Sequence, residues 1–377
     1  MSESEQGPRE PELLPRATSE SRQAIPTIPV YRSDDDGLYI PIPPKTRQPK
    51  RRLSLILFLL TCVSTVYAGA NTCRVEYLVR HPNGAPVVED GEFVFETDHP
   101  RSFLNGLIYA VAIMSILGAH EMGHYLQARR YGVPASLPMF IPMPISPFGT
   151  MGAVIVQQAG VADRKSMFDI AISGPLAGLV IALPLAWWGI SMSRVDTILT
   201  LPGRDTPIFP DPLILKWIVR SYFGELRPNQ DVILNPILFA GWVGIFITGL
   251  NLLPIGQLDG GHILYCILKK RANKVARVLF MSAVAFVVYN SFFGNRAYQG
   301  WWLMLALLWM VGTRHPPTAD DNMPLGKGRI VLGWLTLMFI FVGFSPRPPY
   351  EIHTPPLPHH EPPKQVVPRD PEKEIQA

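Results

Sequence analysis

The sequence predicts an all-α polytopic membrane protein. About seven transmembrane helices are expected, with a short membrane-embedded β-like segment and a broken helix at a polar site. Three observations carry this. The chain of 377 residues is 47% hydrophobic and 17% charged, and its charges fall mostly outside the apolar runs. Those runs recur at about the 20-residue length that crosses a bilayer, with Lys and Arg clustered beside them. Two further apolar stretches are interrupted by proline and glycine, which ends regular helix.

Residues 1–52 are rich in Ser, Glu, Pro and Arg and show little apolar periodicity, so they are expected to be a disordered cytoplasmic tail. The tail closes with the basic "KTRQPKRR" at 45–52, and the apolar run 53–70 follows at once. That run reads as a retained anchor with its N-terminus in the cytoplasm. Its "AGA" at 68–70 also fits a signal-peptide cleavage site. Residues 71–102 are polar, poor in Lys and Arg, and expected outside. Within them "VVEDGEFVF" has the Asp-Gly turn and alternation of a hairpin.

The second run, 103–128, ends at Arg129 and Arg130 and is expected to cross inward. Next comes "PMFIPMPISPF" at 138–148, too proline-rich for a helix, and then the β-branched "GTMGAVIVQQAG" at 149–160. The latter is expected to be strand or re-entrant structure, which membrane depth tolerates only when buried in protein or lining a wet cavity. A third span, 167–190, follows "DRK". Residues 191–233 form an external loop with an interfacial helix at "LILKWIVRSYF". A fourth span begins near Asn235, breaks at "NLLPIGQLDGG", and ends before the basic "KKRANK" at 269–274. Three more are expected near 276–292, 298–313 and 329–344, and then a disordered Pro-rich tail, 345–377.

The net charge of +4 is too small to imply a polyanionic partner, and no basic face with interleaved aromatics suggests nucleic acid. Cys62, Cys73 and Cys266 show no paired spacing and give no disulfide framework.

The second run contains "HEMGH", residues 120–124. On a helix, His120 and His124 share one face with Cβ atoms about 5–6 Å apart. They can bind one metal ion, and Glu121 beside the first can reach a metal-bound water as its base. A lone histidine in an apolar helix is more often a hydrogen-bonded core residue. Two histidines and a carboxylate within one span are costly without a task. Zinc lowers the pKa of its bound water to about 7, and a catalytic zinc site needs a third protein ligand. Asp259 is the candidate, an intramembrane carboxylate at the Pro254 break, where Gly256, Gly260 and Gly261 allow close backbone approach. A helix-terminal Asp facing the cytosol would look the same in sequence. His262 is also available and ranks lower.

"HEMGH" (120–124), "SGPLAG" (173–178) and "NLLPIGQLDGG" (251–261) together resemble the three core motifs of the site-two protease family, the intramembrane zinc metalloproteases. They occur in family order, each on its own expected span, and "GTMGAVI" resembles the family's membrane-embedded hairpin. The likeness covers about residues 103–268, the expected catalytic core; residues 269–344 would be additional C-terminal helices. "HPPT" at 315–318 resembles the EGY-like branch. The resemblance implies zinc on His120, His124 and Asp259, Glu121 as catalytic base, and Asn251 at the substrate or oxyanion. It makes Gly174 and Pro175 architectural. No stretch between the second and third core spans is long enough for a PDZ domain.

The implied function is hydrolysis of peptide bonds in or near the transmembrane segments of membrane-anchored proteins. The partners would be such substrates and the lipid bilayer, in a bacterial inner membrane or a plastid-type membrane. A prenyl-processing zinc protease would need a Glu ligand in a motif that is missing here. A catalytically silent scaffold or chaperone of the same fold would usually have lost a ligand. An ion or solute transporter suits broken helices, but no internal repeat supports it.

Overall fold

A computed structural model describes residues 31–33, 39–41, 51–89, 92–158, 160–197, 205–227, 230–294, 298, 300–345 and 350–353. The chain divides into two units, residues 1–44 and 45–377. In the first, β1 (Tyr31–Ser33) and β2 (Tyr39–Pro41) pair antiparallel. Apart from these strands, the start of the first helix and the strand Tyr350–His353, the two stretches expected to be disordered tails lie almost wholly outside the described residues.

The larger unit opens with helix α1 (Arg51–Thr72). Four short strands follow: β3 (Glu76–Leu78), β4 (Val88–Glu89), β5 (Glu92–Phe93) and β6 (Phe95–Thr97). β4 pairs with β5, and β3 pairs with β6 outside them; Asp90 and Gly91 of the expected turn lie outside the described residues. Helix α2 (His99–Arg130) starts where Asp98 accepts a hydrogen bond from Arg101 N–H, with Pro100 in the first turn. β7 (Met139–Met143) and β8 (Gly149–Val154) then form an antiparallel pair where the prolines forbid a helix. Helix α3 (Arg164–Ser191) is capped by Asp163.

β9 (Val195–Thr197), β10 (Asp205–Ile208), helix α4 (Leu213–Phe223) and β11 (Gln230–Val232) precede α5 (Pro236–Asn251). The expected interfacial helix is α4. α6 (Asp259–Leu268) leads through a short 3-10 turn, Lys269–Arg271, into α7 (Ala272–Phe293). α8 (Trp301–Val311), α9 (Lys327–Gly343) and β12 (Tyr350–His353) complete the order. β9 pairs with β11 and β10 with β12.

Among the described residues, four stretches are long and apolar enough to cross a membrane: Arg51–Thr72, His99–Arg130, Arg164–Ser191 and Asp259–Phe293. The expected count of about seven spans is not confirmed beyond these four. α5, α8 and α9 have 16, 11 and 17 residues. At 1.5 Å per residue they are shorter than a hydrocarbon core of about 30 Å. The expected fourth span is two helices, α5 and α6, with the break between them, and α6 runs on through its basic turn into α7. The all-α expectation is also qualified: the loops carry short two-stranded ladders.

Small residues bring α1, α2, α3 and α5 into close contact. A Cβ on Gly106 of α2 would lie 2.4 Å from the Val66 carbonyl of α1, and one on Gly123 would lie 2.5 Å from the Ser173 carbonyl of α3. On the α3–α5 side a Cβ on Gly241 would meet Ala186 backbone at 2.7 Å. Without a hydrophobic drive between helices in lipid, such backbone approach supplies the packing. Around it Tyr109, Ile113, Phe239, Trp242 and Ile245 are fully buried. The Tyr109 hydroxyl donates to the Phe148 carbonyl at 2.8 Å, which fixes the β7–β8 turn against α2. Arg329 of α9 makes a two-pronged contact with Asp169 of α3, at 2.7 and 2.9 Å, and the Tyr131 hydroxyl donates to the same carboxylate.

Candidate metal centre

His120, Glu121 and His124 lie in the C-terminal half of α2 and are buried, at 3%, 4% and 5% exposure. Burial at that level is unusual for such groups unless they are paired. The four-residue spacing does bring the two imidazoles together: their Nε2 atoms are 3.1 Å apart.

Asp259 is supplied by a different helix, α6. α5 ends at Asn251, and the chain turns through Pro254 and Gly256, whose φ of +57° suits glycine. It then starts α6 with Asp259 as the first residue. Gly260 makes this turn possible, since a Cβ there would lie 1.9 Å from the Leu252 carbonyl. The Asp259 carboxylate sits at the positive end of α6. One oxygen is 3.1 Å from His120 Nε2 and the other 3.2 Å from His124 Nε2. Among the described residues these three are the one group of His, Cys, Asp and Glu side chains whose ligand atoms converge enough to hold a metal ion.

The donor set fits a small tetrahedral cation. With bonds of about 2.0–2.1 Å, neighbouring ligands of tetrahedral zinc lie about 3.3 Å apart, close to the 3.1–3.2 Å found here. His124 Nδ1 lies 2.8 Å from the Ile170 carbonyl. A carbonyl only accepts, so Nδ1 carries the proton and Nε2 keeps its lone pair for a metal, as at most histidine metal ligands.

Glu121 faces the same cavity of about 240 Å³ as the three ligand candidates. Asn251 also lines it, with its side-chain amide 3.5 Å from His120 Nε2. Its walls include Ala153, Val154, Ile155 and Gln157, at and beyond the end of β8, and Ala171 of α3. Pro175 has no N–H to offer the Ala171 carbonyl, so one helix bond is missing beside the cavity.

Thus His120, Glu121, His124, Asn251 and Asp259 all line one cavity. His262 also lines it, but its Nδ1 meets His315 rather than joining the converging group. Sequence reasoning missed three participants. The Ile170 carbonyl carries no residue-type signal. Pro316, on a loop remote in sequence, forms part of the wall. Gly174, read as pure packing, stands directly against a ligand candidate: a Cβ there would lie 2.0 Å from His124 Nε2.

Comparison with known proteins gives the same picture. Residues 108–291 match the model of Peptidase family M50. The chain is 26% identical to the probable zinc metalloprotease EGY2, chloroplastic, of Arabidopsis thaliana, over 84% of this chain and 53% of that protein. It is 31% identical to the probable zinc metalloprotease EGY1, chloroplastic, of the same plant, over 78% and 53%. It is 30% identical to the EGY1 protein of Oryza sativa subsp. japonica, over 56% and 37%. The chain spans about half the length of the two Arabidopsis relatives and less of the rice one. With the M50 match running from α2 into α7 and the His120–His124–Asp259 group inside it, the chain belongs to Peptidase family M50, the family of site-two proteases.

Proposed function

We propose that this protein is an intramembrane zinc metalloendopeptidase that cleaves membrane-anchored proteins in or near their transmembrane segments. The observation that carries the proposal is the convergence of His120, His124 and Asp259 with Glu121 on one buried cavity. The relatives' names, zinc metalloproteases, agree with it.

His120, His124 and Asp259 would hold the ion, and residues 103–268 would be the catalytic core. Bound zinc would supply Lewis acidity, polarising a peptide carbonyl and acidifying water. Glu121 takes the proton of the attacking water and returns it to the leaving amine. Asn251, a neutral donor on the same cavity, is placed to hold the substrate carbonyl or the negative charge that develops on it. Ile170 keeps His124 in the tautomer that can bind metal.

A helical substrate exposes no scissile bond, so it must unwind at the site. The edge of β8 turned away from β7 has no strand partner among the described residues, and its continuation lines the cavity. An extended substrate segment can add there as a further strand. Basic Arg129, Arg130, Lys269, Lys270 and Arg271 flank the spans that carry the site. Their placement supports a cytoplasmic-side cavity and a cytoplasmic N-terminus. The host membrane would be a bacterial inner membrane or a plastid-type membrane.

The test is a comparison of membrane proteomes from cells carrying wild-type protein or Glu121→Gln. Membrane-bound fragments that accumulate only with Glu121→Gln support the proposal. Identical proteomes at equal expression contradict it.

A further inference from the structure

The loop between α8 and α9 carries "HPPT", residues 315–318, which the metal centre leaves unexplained. It is firmly docked. The His315 N–H donates to the Asn273 side chain at 2.9 Å, and the Ala319 N–H donates to the Ala162 carbonyl at 2.9 Å. The Thr318 hydroxyl donates to Asp321 at 2.7 Å, and Asp321 accepts from the Tyr265 hydroxyl at 2.8 Å. The His315 side chain, 6% exposed, stacks on the Tyr265 ring of α6 at 4.3 Å and 17°.

The ring nitrogens of His315 continue the line toward the cavity. Nδ1 lies 2.5 Å from the Pro316 carbonyl, and Nε2 lies 2.5 Å from Nδ1 of His262. That separation is too short for two ligands of one tetrahedral ion, which lie about 3.3 Å apart. The pair is therefore a hydrogen bond and not a second metal site. His262 stands one turn after Asp259 on α6. Two imidazoles thus span from the α8–α9 loop to α6, one turn after the residue that closes the metal group. Pro316 and His262 line the same cavity as the ligands.

We infer that His315 is a positioning residue for the metal centre: through His262 it holds the start of α6, and hence the Asp259 carboxylate, in line with His120 and His124. This rests on the zinc reading above. It makes the segment after the catalytic core part of the site's geometry. Groups that orient metal ligands from outside typically change metal affinity or activity by about 10–100-fold when removed.

The experiment is zinc retention against a competing chelator, measured on the purified full chain in detergent. His315→Ala and His262→Ala should each weaken retention about 10–100-fold. The double variant should be no weaker than the weaker single one, because one line of contact is broken either way. The two amide variants discriminate further. A Gln side chain places its amide near the Nε2 position and keeps the His262 contact; Asn places it near Nδ1 and loses that contact. His315→Gln should therefore stay close to wild type, and His315→Asn should behave like His315→Ala. If the alanine variant does not fold, the Gln and Asn variants carry the comparison. Wild-type retention in both alanine variants, equal retention in Gln and Asn, or single effects that multiply would overturn the inference alone. A wild-type chain that binds no zinc overturns the functional proposal, and this inference with it.

Discussion

Gly174 of α3 stands so close to His124 of α2 that a Cβ on it would lie 2.0 Å from the imidazole Nε2. The contact explains why a glycine sits in the middle of a long helix, where it normally costs about 1 kcal/mol relative to alanine. It clears the space in which His124 presents its lone pair. Gly174→Ala should displace that ring and abolish metal binding and cleavage while the helical content persists. At Gly178 an added Cβ would lie 3.3 Å from His120, so Gly178→Ala should be much milder. Zinc analysis of both variants checks this, and equal zinc content in the two would contradict it.

The substrate-edge proposal points to one residue. Val156 and Gln158 turn their backbone groups toward residues 134–136: the Val156 carbonyl accepts from Ser136 N–H at 2.9 Å, and Gln158 N–H donates to the Pro134 carbonyl at 3.0 Å. Alternation along a strand then aims the N–H of Ile155 at the opposite edge, beside the cavity. Ile155→Pro removes that donor and should strongly reduce cleavage with zinc retained. Ile155→Ala keeps the donor and should cleave nearly normally. Equal cleavage by both would remove β-addition from the account.

The topology is open to labelling. Ala85 and Lys270 are exposed, the first between β3 and β4 and the second after α6. Cysteines introduced singly at these positions should react with impermeant reagents from opposite faces of the membrane. Reaction from the same face would overturn the cytoplasmic placement of the cavity.

Outside the spans, Asp211 precedes α4. Burial and then the neighbouring Asp231 push its carboxyl up to about 7, against the pull of Lys216. A raised carboxyl pKa means that the folded chain binds a proton the unfolded chain has already lost. The associated stability is fully present below pH about 4 and falls as pH rises to about 7. Asp211→Asn should flatten that dependence. Thermal unfolding in detergent at pH about 5 and about 8 measures it. A variant as pH-dependent as wild type would refute the assignment.

The metal centre was more legible than the membrane architecture. The four-residue spacing of His120 and His124 fixes their shared helix face, and proline and glycine mark both the break before Asp259 and the β7–β8 pair. The meeting of Asp259 with residues about 135 positions earlier has no local signal; only the combined motifs pointed to it. The number of spans is less legible because apolar content does not report where helices end. α5 begins at Pro236 and stops at the Pro254 turn, and α8 stops at Gly312, whose φ is +77°. Pairing of β10 with β12 joins residues 205–208 to 350–353, a long-range match that no short motif announces.

The central claim is that His120, His124 and Asp259 bind one zinc ion while Glu121 acts without binding it. The most direct measurement is zinc per chain in purified wild type, Glu121→Gln and Asp259→Asn, each assayed for cleavage. Asp259→Asn keeps the size of the side chain and removes the negative charge that offsets the cation. The account predicts about one zinc per chain in wild type and Glu121→Gln, with Glu121→Gln losing about 10²–10⁴-fold in turnover. It predicts little or no retained zinc in Asp259→Asn. Full zinc in Asp259→Asn, or loss of zinc in Glu121→Gln, would contradict it.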